Sequence, residues 1–474
     1  MAQVTATSAS SLALQMEDVS EKMFDHMVRT APELRILNLV TKSIDGKYLR
    51  VDFQTDGNAY LANRLEHEYF PGEDPSADAD DSIAGFTVGE MLFRQRHSFI
   101  GVDWTGQMKA AAKSRKGAYM NLADFRMDDT KKFIQERMSV KLATSQVGTL
   151  ARIQTISGTA ATFRYAGYSA VSTQTYENGS RYLRNGLVLD AVDGTSGRLG
   201  AVRGGVNDRG VALSALGVDK GSSGTGISGT LSKAPSSWAV GDYVTLYNER
   251  TSAANPTGVI SSAADWNGLK NTLGLIDAVD DGNLVAYYGE LQRSSYPSLN
   301  ALTFGNSGTL RPLTQQIINW AAEQQKQLWD GMANVAYSTP GVMRRFVDFL
   351  TIQGSGSSGA TATNSPIRYE PSSTQSVGFN KISLHPLGMD GTLDLAPSRL
   401  APHHMMFLLD RGSMVLVQDS PPRFVNEDGM TIRKVAGKWD FVANWVWPAT
   451  GIVAREPAKN VRIDDLEGDH MTAG

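Results

Sequence analysis

Residues 288–301 read Tyr-Gly-Glu-Leu-Gln-Arg-Ser-Ser-Tyr-Pro-Ser-Leu-Asn-Ala, and this stretch is the clearest indication of the fold in the sequence. It lies in the second half of a 474-residue chain, which is too long for one ordinary core and indicates two to four packed units. The chain has 46 glycines among its 474 residues. This is about 10% of the chain, above the usual share of roughly 7%. Such a composition favours many turns and β connections.

The composition excludes several kinds of function. The chain has no cysteine, so disulfides, thiolate catalysis and Cys-ligated metals are impossible. With 45 basic and 49 acidic residues the net charge is -4, which gives no broad surface for tight nucleic-acid binding. Residues 1–11 lack the order of a secretory signal, and no run approaches the roughly 18–20 apolar residues of a membrane span. Neither export nor a membrane partner is expected.

The first 150 residues show a helix, two strands and a second helix. Apolar residues spaced by three and four predict a helix over 12–31, limited by Pro32. Its stripe consists of Leu12, Met16, Val19, Met23 and Met27. It packs either on its own domain or under a neighbouring subunit. The β-rich runs 48–53 and 86–104 predict two strands that flank a long excursion. A long helix is predicted from after Asn121 to about Val147, with Ile134, Met138 and Leu142 in register. Alternatively, a fresh helix starts at Asp128 and Asp129.

Two charged clusters have alternative interpretations. The acidic stretch 71–81 is interpreted as an exposed loop tip, since it lacks the glycine turn and final glutamate of a calcium loop. Lys109, Lys113, Arg115 and Lys116 indicate a solvated helix face or, alternatively, contacts with DNA phosphates.

Residues 150–249 have the pattern of a separate small β domain. Short β runs at 161–165, 187–192, 211–216 and 243–247 are separated by Gly, Ser, Asn and Asp turns. This spacing predicts a barrel or sandwich inserted into the main body.

The pattern after Pro256 is mixed α/β. A helix is predicted over 314–330, and its apolar side is expected to consist of Leu313, Ile317, Trp320 and Leu328. Pro340 is expected to begin a second helix that carries Val342, Phe346 and Phe349. A flexible loop is expected over 354–365, and β runs over 405–417 and 430–453.

No catalytic, cofactor-binding or metal-binding residue is predicted. Gly224, Gly226 and Gly229 match G-x-G-x-x-G, as do Gly354, Gly356 and Gly359, but neither set has the strand before it and the helix after it that a dinucleotide site needs. His403 and His404, with Asp410 further along, would diverge on a strand. The other histidines are scattered: His26, His67, His97, His385 and His470. Carboxylate pairs for glycoside hydrolysis have no local signature and stay open.

The stretch 288–301 resembles a run found in phage major capsid proteins. Later stretches of the sequence resemble the same family. Residues 314–330 followed by 336–345 resemble the helix, strand and helix of the capsid axial domain. Residues 377–379, 407–410 and 451–466 follow in the family's order, and residues 240–244 resemble part of the inserted β domain of some capsid proteins.

This resemblance implies an α+β chain with the HK97-like capsid fold. The implied units are an N-terminal arm (1–46), an extended β hairpin loop (47–104), a peripheral domain with the spine helix (105–149), an inserted β barrel or sandwich (150–250), a return to the peripheral domain (251–300), an axial domain (301–440) and a C-terminal β segment (441–474). The arm and the extended loop are expected to find burial only on neighbouring subunits after assembly.

The implied function is structural and not enzymatic. The chain is expected to assemble with itself into hexamers and pentamers of an icosahedral phage head that encloses double-stranded DNA through weak contacts. Implied partners are a portal protein and, in some systems, scaffolding and decoration proteins. The expected location is the virion capsid, with assembly in the host cytoplasm. Scaffolding is expected from a separate protein or not at all. No lysine lies between Lys47 and Lys109, so a shell without covalent crosslinks is predicted.

Three other functions remain as alternatives. An encapsulin-like compartment would share the fold and carry protein cargo. A β-rich polysaccharide-acting enzyme would need converging carboxylates in a cleft. A phage tail or decoration protein is the third.

Overall fold

A computed structural model gives the structure of the chain. It describes residues 38–41, 48–56, 87–104, 136–143, 149–164, 182–194, 201–204, 208–217, 227–247, 262–283, 285–307, 309–346, 383–384, 392–398, 400–402, 404–421, 423–425, 432–434 and 441–468. The helix predicted over 12–31, the acidic stretch 71–81, the basic cluster 109–116 and the loop 354–365 lie outside these ranges.

Two antiparallel strands form a ribbon, β2 (Tyr48–Asp56) and β3 (Thr87–Arg94). Its apolar side chains Leu49, Phe53, Met91 and Phe93 are buried in the main core of the same chain. The predicted pairing of two strands is therefore confirmed. The expectation that this loop is buried only after assembly is wrong for its described part, because alternation places one apolar face directly on the body.

A six-stranded sheet, called here the β21 sheet, receives strands from both ends of the chain. Its members are β1 (Asn38–Thr41), β4 (Arg96–Trp104), β18 (Met414–Gln418), β19 (Arg423–Phe424), β20 (Ile432–Lys434) and β21 (Phe441–Ala454). The long strand β21 pairs antiparallel with β4, β18, β19 and β20, while β1 lies parallel to β18. The single run expected over 86–104 is divided at Gln95 between the ribbon and this sheet.

A second six-stranded sheet, the β14 sheet, is mixed. In spatial order it contains β13 (Leu302–Phe304), β22 (Val461–Ile463), β17 (Met406–Leu409), β14 (Val335–Ser338), β16 (Leu393–Pro397) and β15 (Ser383–Leu384). Alternate residues face opposite layers: Val335 and Tyr337 join the main core, whereas Ala336 joins a second core beneath a helix. The predicted ranges 301–440 and 441–474 each contribute strands to both six-stranded sheets.

One long helix, numbered α3 (Gln315–Trp329), lies on the β14 sheet. Thr314 caps its start, because the Thr314 hydroxyl accepts a hydrogen bond from the backbone N–H of Ile317 at 3.3 Å. The predicted bounds are therefore confirmed, and the predicted apolar face is half right, because Leu313 is buried and Ile317 partly buried on this core whereas Trp320 and Leu328 are not. The buried side chains are Ile318, Ala321, Ala322 and Gln325, since the small alanines allow the helix to approach the sheet closely. Trp320 and Leu328 are 47% and 58% exposed.

The second predicted helix is also present. Residues 340–346 are helical, Val342 and Phe346 are buried, and the Thr339 hydroxyl accepts from the backbone N–H of Val342 at 3.4 Å. Phe349 lies outside the described residues.

The inserted domain is a closed barrel. In order round the barrel its strands are β10 (Tyr243–Leu246), β5 (Ala151–Ser157), β6 (Ala160–Arg164), β9 (Ile227–Leu231), β8 (Val211–Leu216) and β7 (Val188–Val192). Ile153, Phe163, Leu213 and Val244 fill its interior. Strands β5 and β9 have no counterpart among the four predicted runs. The chain is α+β with an inserted small β domain, as expected.

The remaining elements are short and connect these layers. They are α1 (Ala263–Gly268), α2 (Leu275–Ala278), β11 (Tyr287–Tyr288), β12 (Leu291–Gln292) and the 3-10 turns Arg293–Ser295, Pro297–Leu299 and Pro457–Lys459. Of the helix predicted after Asn121, residues 136–143 are described as helical, and Met138 and Leu142 are buried in the main core. None of the described helices has the length and apolar character needed to cross a bilayer.

Candidate functional site

The stretch 288–301 begins in a tight hairpin that packs against the ribbon. Strands β11 and β12 are joined by Gly289 and Glu290, both with positive φ (58° and 69°), the combination that suits a two-residue hairpin turn. The Gly289 carbonyl accepts a hydrogen bond from the backbone N–H of Leu92 at 2.9 Å. A Cβ at Gly289 would lie 2.6 Å from the Cβ of Met91. Only glycine therefore fits this contact with β3.

Arg293 is the buried centre of this region. Its Nη1 donates to the carbonyl oxygen of Asp280 at 2.6 Å and to that of Leu299, and its Nη2 donates to the carbonyl oxygen of Asp277. Burial lowers the pKa of Arg293 below its ordinary value, and the Asp280 carboxylate opposes that shift. The guanidinium therefore joins residues 277–280 to Leu299 through three backbone carbonyls.

Asp280 connects Arg293 to the β14 sheet. Its Oδ1 accepts from Nη1 of Arg462, on β22, at 2.8 Å, and its Oδ2 accepts from the backbone N–H groups of Gly282 and Val285 at 3.0 Å each. Burial alone would raise the pKa of Asp280, but the guanidinium groups of Arg462 and Arg293 and the two N–H donors hold it below its ordinary value. This carboxylate is fixed in its ionised form.

Arg462 also extends this hydrogen-bond network to Asp464. Its Nε lies 3.1 Å from both carboxylate oxygens of Asp464, and its Nη1 donates to the carbonyl of Val279 at 3.2 Å. Burial raises the pKa of Asp464, although the Arg462 guanidinium opposes this shift. The pKa of Arg462 is raised despite burial, because Asp464 and Asp280 stabilise its charge.

Tyr288 connects the same region to the β21 sheet. Its hydroxyl accepts from the backbone N–H of Ala454 at 2.7 Å and donates to the Ala454 carbonyl at 3.3 Å. Its ring contacts Phe93 on the ribbon edge-on, with centroids 5.1 Å apart, and lies 6.3 Å from Trp266. Burial raises the pKa of Tyr288 well above its ordinary value, so the hydroxyl stays protonated.

Together these residues form what we call the junction: Asp280, Tyr288, Gly289, Arg293 and Arg462. It holds the ribbon, the β21 sheet and the β14 sheet at one point. Its charges are engaged with one another and with backbone groups, which suits a rigid joint.

The described residues that could have been metal ligands, His404 and Asp410, are hydrogen-bonded to backbone groups. His404 is buried, and its Nδ1 lies 2.6 Å from the carbonyl oxygen of Leu466. The Asp410 carboxylate accepts from the backbone N–H of Gly412 at 2.8 Å and so closes the turn between β17 and β18. His403 lies outside the described residues. Among the described residues, no group of three or more histidines and carboxylates could hold a metal ion.

Of the two glycine strings, only Gly229 is described. It lies in β9, where a Cβ would come within 2.8 Å of both Leu213 and Phe163. Its lack of a side chain is used for barrel packing. Gly224, Gly226 and the set at 354–359 lie outside the described residues.

The run at 240–244 closes the barrel. Tyr243 pairs with Arg152 on β5 and with Val192 on β7. The buried Asp242 carboxylate accepts from Nη2 of Arg203 at 3.0 Å and from the backbone N–H of Ala239 at 2.8 Å. The run therefore fixes one end of the inserted domain.

Sequence reasoning did not identify Asp280 and Arg462 as partners. They lie 182 positions apart. Asp280 belongs to an Asp-Asp-Gly turn and Arg462 to a short strand, and neither pattern indicates the other.

No family model matches the chain, and no curated protein matches it. The solved structures to which it is similar are almost all phage capsids. The capsid asymmetric unit of cyanophage A-1(L) is similar at 9% identity with a TM-score of 0.47, over 92% of this chain and 93% of that chain. The capsid of Myoviridae phage XM1 is similar at 7% identity with a TM-score of 0.38, over 90% and 89%. The holo-SrpI encapsulin complex of Synechococcus elongatus PCC 7942 is similar at 10% identity with a TM-score of 0.39, over 93% and 89%.

Proposed function

We propose that this chain is a structural shell subunit, the major capsid protein of a tailed bacteriophage. The junction is the observation that carries the proposal. Tyr288, Gly289 and Arg293, which belong to the stretch that resembles capsid proteins, are buried where the ribbon and the two large sheets meet. A subunit that must hold a fixed curvature in a thin wall needs its layers joined rigidly, and this stretch supplies such a joint.

The proposed assembly consists of hexamers and pentamers that enclose double-stranded DNA. Each subunit touches several neighbours in such a shell, so modest contacts combine into a stable lattice. The net charge of -4 is compatible with a shell wall that surrounds DNA without binding it tightly. A portal protein and, in some systems, scaffolding and decoration proteins are the proposed partners. The proposed location is the virion capsid, assembled in the host cytoplasm.

The proposed role is not enzymatic. This proposal is supported by the buried groups whose pKa values are shifted. Asp280, Arg293 and Arg462 bind one another and backbone groups. Their ionisation serves the joint between layers.

The experiment that tests this function examines the content of particles. Particles that contain the chain are purified from infected cells, treated with nuclease, opened with denaturant and analysed by gel electrophoresis. We expect nuclease-resistant double-stranded DNA together with one dominant protein. Particles that hold a cargo protein and no DNA would instead support the encapsulin-like compartment, and recovery of the chain only as a free monomer would contradict a shell function.

A further inference from the structure

The inserted barrel is joined to the rest of the chain, called here the body, at two neighbouring points. Its first strand, β5, follows Leu150, and its last strand, β10, ends at Leu246. The backbone N–H of Leu150 donates to the carbonyl of Val244 at 2.8 Å, so both connections leave the barrel side by side. Adjacent connections can act as a hinge, and domains of one chain move relative to each other unless an apolar interface holds them. A fixed orientation of the barrel therefore requires a further attachment.

Residues 182–184, called here the strap, attach the barrel to the body. The strap leads into β7 of the barrel, and its residues Tyr182 and Leu183 are buried. The Tyr182 hydroxyl donates to the carbonyl oxygen of Leu400 at 2.8 Å. Leu400 belongs to the body, in the connection between β16 and β17 of the β14 sheet. The strap is therefore part of the barrel by sequence and bonded to the body in space.

The strap also contacts helix 136–143 of the body. Nη1 of Arg137 donates to the carbonyl oxygen of Tyr182 at 3.3 Å, and this hydrogen bond is buried. The Arg184 guanidinium pairs with the Glu136 carboxylate, but the Arg184 side chain is 48% exposed, so this pair contributes little. The buried hydrogen bonds of Tyr182 therefore carry most of the polar part of the attachment.

Helix 136–143 contributes apolar side chains to two cores. Met138 and Leu142 lie in the main core of the body, whereas Val140 lies in the core cluster of the barrel. Two positions along a helix rotate a side chain by about 200° about the axis, so Val140 faces away from Met138. Leu400 joins the barrel cluster as well. The barrel core is therefore continuous with apolar side chains of the body at the place where the strap is bonded.

We propose that the strap locks the barrel to helix 136–143 and to Leu400, so that a displacement of this helix is transmitted to the barrel. Opening the strap would leave the buried hydroxyl and carbonyl groups of Tyr182 and the Leu400 carbonyl without their partners, which opposes partial release. Closed and open arrangements are therefore distinct states. This conformational device belongs to the single subunit, goes beyond the proposed shell function and does not depend on it.

Distance measurements between two spin labels test the lock in unassembled subunits. Because the chain has no cysteine, Val240→Cys on the barrel and Leu328→Cys on α3 of the body introduce one labelling site each, and both side chains are exposed. Pulsed electron paramagnetic resonance then gives the distribution of the distance between the labels. We expect one narrow distribution when the strap is unaltered. Tyr182→Ala is expected to broaden the distribution about twofold or more, whereas Arg184→Gln changes it little.

Phe163→Leu is the matched control, because Phe163 is buried inside the barrel and lies outside the strap. It weakens the barrel core but is expected to leave the width of the distribution unchanged. Tyr182→Phe keeps the ring and removes only the hydroxyl, so it decides the test with an intermediate broadening if Tyr182→Ala does not fold. A broad distribution with the unaltered strap would overturn the inference. So would equal widths in the unaltered chain and Tyr182→Phe, or a broadening by Phe163→Leu as large as that by the Tyr182 variants.

Discussion

The guanidinium carbon of Arg293 lies 4.7 Å from the centroid of the Tyr288 ring. Both side chains are almost fully buried. A desolvated cation over an aromatic face contributes about 2 kcal/mol. Here the same cation also donates to three backbone carbonyls, those of Asp277, Asp280 and Leu299, so the pair fixes the short hairpin to the layers on either side of it.

Replacing Arg293 with Met is expected to destabilise the subunit strongly. The change leaves the buried Asp280 carboxylate with one guanidinium fewer and leaves three carbonyls without their donor. We expect a loss of about 3–5 kcal/mol in the free energy of unfolding, measured by denaturant unfolding of unassembled subunits. Arg345→Met is the control, because the Arg345–Glu467 pair, at 2.8 Å, is partly exposed on both sides and contributes less than about 1 kcal/mol. Equal losses in the two variants would contradict the role given to Arg293.

Gly289→Ala is expected to cost more than Gly158→Ala. Both glycines have φ near 60° (58° and 59°), but nothing lies within 4 Å of a Cβ at Gly158. The left-handed conformation alone costs about 1–2 kcal/mol for alanine, and the overlap with Met91 adds about 1–3 kcal/mol at Gly289. Denaturant unfolding of the two variants measures the difference. Similar losses at both positions would show that the approach of Gly289 to β3 is not tight.

The network around Asp280 predicts a dependence of stability on pH. The pKa of Asp280 is lowered in the folded state, so its contribution is complete above the ordinary aspartate pKa of about 3.9. It is lost as the pH falls through the lower folded value. Burial raises the pKa of Asp464, so that residue contributes with the opposite sign. We therefore expect Asp280→Asn to weaken the acid-induced loss of stability seen in unfolding free energies measured from pH 6 downward. An unchanged pH profile would contradict the ionised state assigned to Asp280.

The absence of lysine between Lys47 and Lys109 predicts a shell without crosslinks through the extended loop. Mature particles are expected to run on denaturing electrophoresis as a single band at the mass of one chain. A ladder of multimers that survives denaturation would refute this prediction.

The sequence predicted those elements whose signals are local. Thr314 and Pro340 marked helix starts, and the alternation in the ribbon predicted its pairing, because capping and side-chain periodicity act over a few residues. The apolar face of α3 was predicted correctly at Leu313 and Ile317 but wrongly at Trp320 and Leu328, for a physical reason. The spacing of Leu313, Ile317, Trp320 and Leu328 shows which large side chains share a side, but not that Ala321 and Ala322 allow a closer approach to the sheet.

The junction could not be assembled from the sequence. The stretch 288–301 indicated a family, and it contains Tyr288, Gly289 and Arg293. Their partners come from distant positions: Ala454 for Tyr288, and Arg462 for Asp280. Such pairs depend on how the two sheets stack, and no local pattern contains that information.

The central claim, that this chain builds a closed shell of identical subunits, is tested most directly by negative-stain electron microscopy. The purified, expressed chain is imaged after size-exclusion chromatography. We expect closed particles of uniform size, with hexameric and pentameric units in class averages. A compact monomer at all accessible concentrations, with no particles in the images, would contradict the claim.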